Sequence, residues 1–249
     1  MKKFILMFLA VMPLFAEEIA LPASSMKNSY IIENPAYKLG FAENFGIPVW
    51  EMHALSSEML YGKADDIGPW KPDNRVKGYT ISLKDIEGAK LAAVQLYPRT
   101  HAKNSYDNQV SSYFISNLVF MNPQLRDYVW DRINQSFEVI VSKYGKAYVY
   151  SGPIFNKEVL KVKYMMNNKV AIPTHFYKIV LYYDNGKPYC KAYKIQNRVP
   201  NDYERNCDIE EFSCNLYQIE ADTGIDFFDR DIDGNFRQEK LKYLEKKVK

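Results

Sequence analysis

The chain has 249 residues, with 33 Lys and Arg against 30 Asp and Glu, and loss of an N-terminal segment holding Lys2 and Lys3 would bring this to 31 against 30. A net charge near zero neither demands nor forbids a polyanionic partner, so any nucleic-acid groove has to be a local basic patch. With 20 Tyr and 14 Phe the core is aromatic-rich, and most of these rings are packing rather than stacking surfaces for bases.

Met1–Ala16 carries two lysines, an apolar core and an alanine before Glu17-Glu18, the layout of a secretory signal peptide. Its apolar core is short and broken by Pro13, so no stable membrane span is expected, and the mature protein is expected to be periplasmic or secreted. No Gly/Ser/Pro-rich linker divides the rest, which predicts one domain over 17–236 followed by a basic tail, 237–249. Asn34-Pro35 and Asn44–Pro48 read as turns, and Val49–Leu55 alternates as a strand with one buried face. On that strand His53 reads as a satisfied structural histidine rather than a catalytic one.

Leu83–Gly88 is a short loop or helical turn, and Val94–Tyr97 is a strand leading into Pro98-Arg99-Thr100-His101. Tyr113-Phe114-Ile115 is a second strand-type run, ending at Ser116-Asn117. Beyond it Leu125, Val129, Ile133, Phe137 and Ile140/Val141 recur at steps of three and four, which predicts a helix carrying Trp130 with one buried stripe. The order is strand, strand, helix, with His101 at a strand end facing the helix.

Tyr144–Phe155 predicts a strand that Gly152-Pro153 would end sharply. Val170–Tyr183 and Lys187–Ile195 predict a hairpin over Asp184-Asn185-Gly186, whose Asn-Gly favours a type I′ turn. Cys207 and Cys214 flank a short acidic segment and are the expected disulfide, Cys190 is expected as a buried free thiol, and the three show no zinc spacing. A calcium loop read from Asp229 would close on Lys240, which cannot ligate the ion.

Pro98-Arg99-Thr100-His101, then Phe114-Ile115-Ser116-Asn117, then a helix with Trp130 resemble the ββα-metal unit of the DNA/RNA non-specific endonucleases. That family's signature is Asp-Arg-Gly-His, Tyr-Leu-Ser-Asn and Asn-x-x-x-Trp. Further likenesses lie in Lys71-Pro72-Asp73-Asn74, Ser151-Gly152-Pro153, Ile172–Lys178 and Ile219–Phe228, so the resemblance runs over roughly Tyr37 to Phe228. It implies an α+β fold: a central antiparallel sheet with packed helices and a ββα-metal type active-site unit.

The resemblance also implies roles. His101 would be the general base, Arg99 the phosphate clamp and Asn117 a polar residue near the histidine; DNA or RNA would be the partner, and Mg2+ or another divalent cation the cofactor. The family's metal-ligand asparagine falls on Arg126 and its glutamate on Asn134, while Pro98 and Thr100 replace an aspartate and a glycine. A guanidinium has no lone pair and is charged at every accessible pH, so a cation there repels a metal. Either a neighbour holds the ion, with Asn122 and Asp127 foremost and Asn104, Asp107 and Asn108 in the spacer, or Arg126 itself stabilises charge. An active enzyme predicts a basic groove of Arg99, His101, Arg126 and Arg132; the alternative is a catalytically inactive nuclease fold acting as a nucleic-acid-binding or periplasmic interaction module.

Overall fold

A computed structural model describes residues 21–24, 29–65, 68–79, 81–155 and 162–228. The signal-like Met1–Ala16, the loop read from Asp229 and the tail 237–249 lie outside these residues.

Seven strands form one sheet: β1 (Ser29–Glu33), β2 (Tyr37–Ala42), β3 (Ile47–Ser56), β4 (Lys146–Ile154), β5 (His175–Asp184), β6 (Lys187–Gln196) and β7 (Ser213–Cys214). Their order across the sheet is their order in the chain, and every pairing is antiparallel. The sheet is therefore a meander, the topology that short turns between consecutive strands favour. Asn185 and Gly186, both at positive φ (50° and 77°), make the two-residue turn of the β5–β6 hairpin, as their types predict.

The longest excursion from this meander separates β3 from β4, and it holds the resemblance's central motifs. Ala92–Gln95 pairs antiparallel with Leu118–Met121, and a helical run follows from Pro123 to Tyr144. The run starts where Asn122 Oδ1 accepts the Gln124 N–H at 3.0 Å, and it stops at Gly145, whose φ of +83° suits glycine. Leu125, Val129, Ile133, Phe137 and Val141 are all buried, with Ile140 on the flank, so the predicted stripe is the face that docks. Each such side chain contributes roughly 1.5–3 kcal/mol by leaving water. The stripe packs on Phe176, Val180, Tyr193 and Ile195 of the sheet.

The other face of the sheet, with Tyr150, Tyr177, Ile179 and Leu181, packs with the helix Leu216–Thr223 and with Phe227. The result is the expected α+β arrangement, with a helix against each face of an antiparallel sheet.

Three expectations are corrected. Tyr113–Ile115 is not a strand: Ser105 caps a helix at Tyr106–Ser112, a 3-10 turn covers Ile115–Asn117, and the strand begins only at Leu118. Gly152-Pro153 does not end its strand, because β4 runs on to Ile154 against β5 alone after its pairing with β3 stops at Ser151. A proline is tolerated where one edge of the strand is free. Cys207 and Cys214 are not joined: Cys207 caps the helix Asp202–Asn206 with Sγ toward Glu204 O at 3.6 Å, while Cys214 packs against the second core from β7.

Gly152 is a close-approach glycine. A Cβ there would lie 2.5 Å from Tyr177 Oη and 2.6 Å from Val49 O, two atoms joined by a 3.2 Å hydrogen bond. Gly152→Ala is expected to destabilise the fold by about 1–3 kcal/mol, measured as a lower urea midpoint; an unchanged midpoint would show that the strands part freely at this point.

Candidate active site

The strand period puts alternate residues of β3 on the helix-facing side, and two of them, Glu51 and His53, are charged or titratable. In register, Glu51 lies opposite Ser151 of β4, and Ser151 lies opposite Lys178 of β5. Glu51, Ser151 and Lys178 thus form one cross-strand row, at most 1% exposed, inside an otherwise apolar face. Burying such groups is costly unless each is bonded. Ser151 Oγ donates to Glu51 Oε2 at 2.9 Å, and Glu51 Oε1 lies 2.7 Å from His53 Nδ1.

His101 sits in a 3-10 turn, Arg99–His101, just past the strand Ala92–Gln95. Asn117 pins the approach to that turn: its Oδ1 accepts the Tyr97 N–H, and its Nδ2 donates to Tyr97 O and Ser112 O, each at 2.9 Å. Tyr97 Oη donates to His101 O at 3.0 Å, and Gln109 Nε2 to Arg99 O at 3.0 Å. Asn117 therefore acts on the backbone that carries the histidine, not on the imidazole. Beside it Ser116 Oγ donates to Asp73 at 2.5 Å. Burial raises the Asp73 carboxyl pKa, but its bonds from Arg75 and Ser116 outweigh burial and hold it below the usual range.

The imidazole of His101 is completely buried. Its Nδ1 lies 3.0 Å from His53 Nε2, while its Nε2 has no hydrogen-bond partner and faces Glu138 Oε1 at 3.8 Å. Burial, then His53, then Lys178 push the His101 pKa well below that of a free imidazole. A neutral histidine with one nitrogen held and the other bare is the form a general base needs. His53 is the residue sequence reasoning undervalued: it is bonded on both nitrogens, as a structural histidine would be, but one of its partners is His101.

Lys178 Nζ is bonded to Asn134 Oδ1 and stands 3.8 Å from the centroid of Trp130. Burial drives its pKa down to about 7, against the pull of Glu51 and Asp131.

The three arginines expected to line a groove each have a partner. Arg99 pairs with Asp65, Arg126 Nε donates to Asp127 Oδ1 at 2.6 Å, and Arg132 donates to Tyr128 O, Arg205 O and Cys207 O at 3.3, 3.2 and 2.5 Å. Arg132 is thus a strut between the helix and the 205–207 segment. The guanidinium groups of Arg99 and Arg126 remain partly open to solvent.

These donors do not fit a divalent ion. Arg126 occupies the implied ligand position and takes up Asp127, the Oδ1 of Asn122 caps a helix, and that of Asn134 meets a lysine. Asn104 is bonded to Asn108 at 2.8 Å, and Asp107 is exposed on the short helix. Among the described residues no group of three or more His, Cys, Asp or Glu side chains is gathered to hold a metal.

The family model for DNA/RNA non-specific endonucleases matches residues 18–231. Among curated proteins, the zebrafish (Danio rerio) mitochondrial nuclease EXOG is 24% identical over 202 residues, covering 76% of this chain and 58% of the relative. Human mitochondrial endonuclease G is 24% identical over 189 residues, covering 72% and 63%, and nuclease C1 of Cunninghamella echinulata var. echinulata 23% over 215, covering 80% and 82%. The chain spans little more than half the length of the EXOG relatives. A chain of the EndoG/EndoGI complex superimposes with a TM-score of 0.71 at 18% identity, covering 80% of this chain and 86% of that one, which is a likeness of fold. The family match spans most of the chain and includes the ββα unit that presents His101, so this protein belongs to the DNA/RNA non-specific endonuclease family.

Proposed function

We propose that the protein is an exported nuclease that hydrolyses phosphodiester bonds of DNA or RNA, with His101 as general base. The observation that carries this is the His101 Nε2: it is the one ring nitrogen of the Glu51–His53–His101 series left without a hydrogen-bond partner, on an imidazole whose other nitrogen is held. Export rests on the character of Met1–Ala16.

Hydrolysis requires a proton acceptor for water and positive charge against the phosphate oxygens as they gain electron density. His101 supplies the first. Because the donors at Arg126 do not suit a metal, the partly open guanidinium groups of Arg126 and Arg99 supply the second, and both carry their charge at any working pH. A planar guanidinium forks onto two phosphate oxygens, which a single ammonium does not.

A second reading has its own support. His101 is wholly enclosed, and an imidazole that substrate water does not reach would leave a nucleic-acid-binding module without turnover.

Plasmid and total RNA incubated with the purified chain in magnesium, in manganese and in EDTA separate these readings. Cleavage that continues in EDTA and falls by about 10²–10⁴-fold in His101→Ala is expected. Cleavage seen only with a divalent ion would overturn the arginine reading, and wild-type rates in His101→Ala would remove the base assignment. Salt-sensitive binding without cleavage, together with cleavage gained by Arg126→Asn, would establish the silent module.

Lys178 makes a separate prediction about stability. Its folded pKa, about 7, lies below the ordinary lysine value of 10.5, so between those values the unfolded chain binds the extra proton. Stability is therefore full above the unfolded value and is lost as pH falls toward 7, with a slope approaching about 1.4 kcal/mol per pH unit. Urea unfolding from pH 7 to 9 should show stability rising with pH in the native chain and a flatter profile in Lys178→Met; identical profiles would contradict the assigned burial effect.

A further inference from the structure

The Glu51–His53–His101 contacts continue to a fourth residue. Glu138 lies on the long helix one turn beyond Asn134, and residues four apart share a helix face. Asn134 is where the family resemblance places a glutamate; in this chain the carboxylate facing His101 Nε2 is that of Glu138. Its Oε1 is 3.8 Å from His101 Nε2, and its side chain is 34% exposed while that of His101 is 0%.

We propose that Glu138, His101, His53 and Glu51 form one proton path, in which Glu51 and His53 fix the tautomer of His101 and Glu138 exchanges protons with solvent on its behalf. The proposal rests on the reading of His101 as the base.

The wiring follows from the buried end. Glu51 accepts from Ser151 at Oε2; with Oε1 accepting in the same way, His53 Nδ1 carries the hydrogen and its Nε2 is left to accept. His101 Nδ1 must then donate to it across 3.0 Å, which leaves the lone pair of His101 on Nε2, toward Glu138. The other groups facing the pair agree with this. Lys178 approaches from β5 and, with burial and His53, disfavours a charged His101. Lys103 lies near Glu138, where burial raises the carboxyl pKa and so suits it to giving and taking protons nearer neutrality.

In the step itself, water loses a proton to His101 Nε2 as its oxygen bonds to phosphorus, and the bond from phosphorus to the leaving oxygen breaks. The leaving oxygen takes a proton from solvent. The imidazolium is then an N–H donor at Nε2, and Glu138 holds the one acidic oxygen within 4 Å of that nitrogen among the described residues. A bridging water or a small swing of the Glu138 side chain closes the 3.8 Å gap, and Glu138 then accepts the proton, releases it to solvent and restores the neutral base. Glu51 and His53 are positioning residues; they touch no reacting atom.

Glu138→Gln keeps shape and hydrogen bonding but cannot carry the proton. In dilute buffer its kcat should fall tenfold or more with KM within twofold, and rising concentrations of a small buffer such as formate should restore part of the loss, which they would not do for a structural defect. Wild-type kcat in Glu138→Gln, with His101→Ala inactive, would overturn the path and leave the base assignment standing; an active His101→Ala would overturn the base assignment itself. A second measurement does not depend on turnover. With 3 histidines in the chain, two-bond ¹H–¹⁵N correlation spectra can assign each tautomer, and His101 should carry its hydrogen on Nδ1 in the native chain. A hydrogen on Nε2 would overturn the proposal.

Discussion

A row of polar side chains in the middle of an apolar sheet face sets the terms for the rest of the fold. Glu51, Ser151 and Lys178 are neighbours only because β3, β4 and β5 pair in one register, and a slip of one residue would turn all three to the opposite face. Groups of this kind have to be covered and bonded together, since an unpaired buried polar atom costs about 1–3 kcal/mol. The helix from Pro123 to Tyr144 does both: Leu125, Val129, Ile133, Phe137 and Val141 exclude water while Asn134 and the ring of Trp130 hold the lysine head.

The loop side of the site obeys the same rule. His101 is carried by a short turn, which has few backbone bonds of its own, so its position comes from outside. Asn117 holds Tyr97 and Ser112, Tyr97 holds His101 through the carbonyl, and Asp73 ties Ser116 to Arg75. Each of these side chains reaches backbone or a charged partner, and none reaches the imidazole ring through a hydrogen bond. That division leaves one His101 nitrogen for His53 and one for chemistry. It also accounts for the likeness of the second motif to its family: a side chain that shapes the backbone is as constrained as one that reacts.

Much of this was legible in the sequence. The helix stripe, the Asn185-Gly186 hairpin and a His101 that faces the helix follow from period, turn chemistry and motif, whereas the 3-10 turn that carries His101 stands where a strand end is expected. What was hidden depends on register between distant strands. His53 looked like an ordinary inward histidine because nothing local shows that its partner lies 48 residues away. Lys178 fell on the inward phase of its strand, and a charge at such a position is itself a signal. Glu138 follows Phe137 on the flank of the buried stripe, where periodicity expects a solvated residue. The helix Tyr106–Ser112 was missed because its cap, Ser105, precedes a segment with no apolar stripe; its buried residues are Asn108, Gln109, Ser111 and Ser112.

The departures at positions 126 and 134 make more sense together than apart. At 126 a guanidinium stands where the resemblance implies a metal ligand, and Asp127, 2.6 Å away, offsets part of its charge. Asn134, two turns further along the helical run, is neutral, so it sets no carboxylate against the phosphate. The asparagine also has a use in the core, since its Oδ1 is what Lys178 meets. Glu138, one turn past Asn134 on the same face, is the carboxylate that faces His101, at 3.8 Å. On the proposed reading these are one coordinated change in how charge and protons are handled, carried by three residues of a single helix.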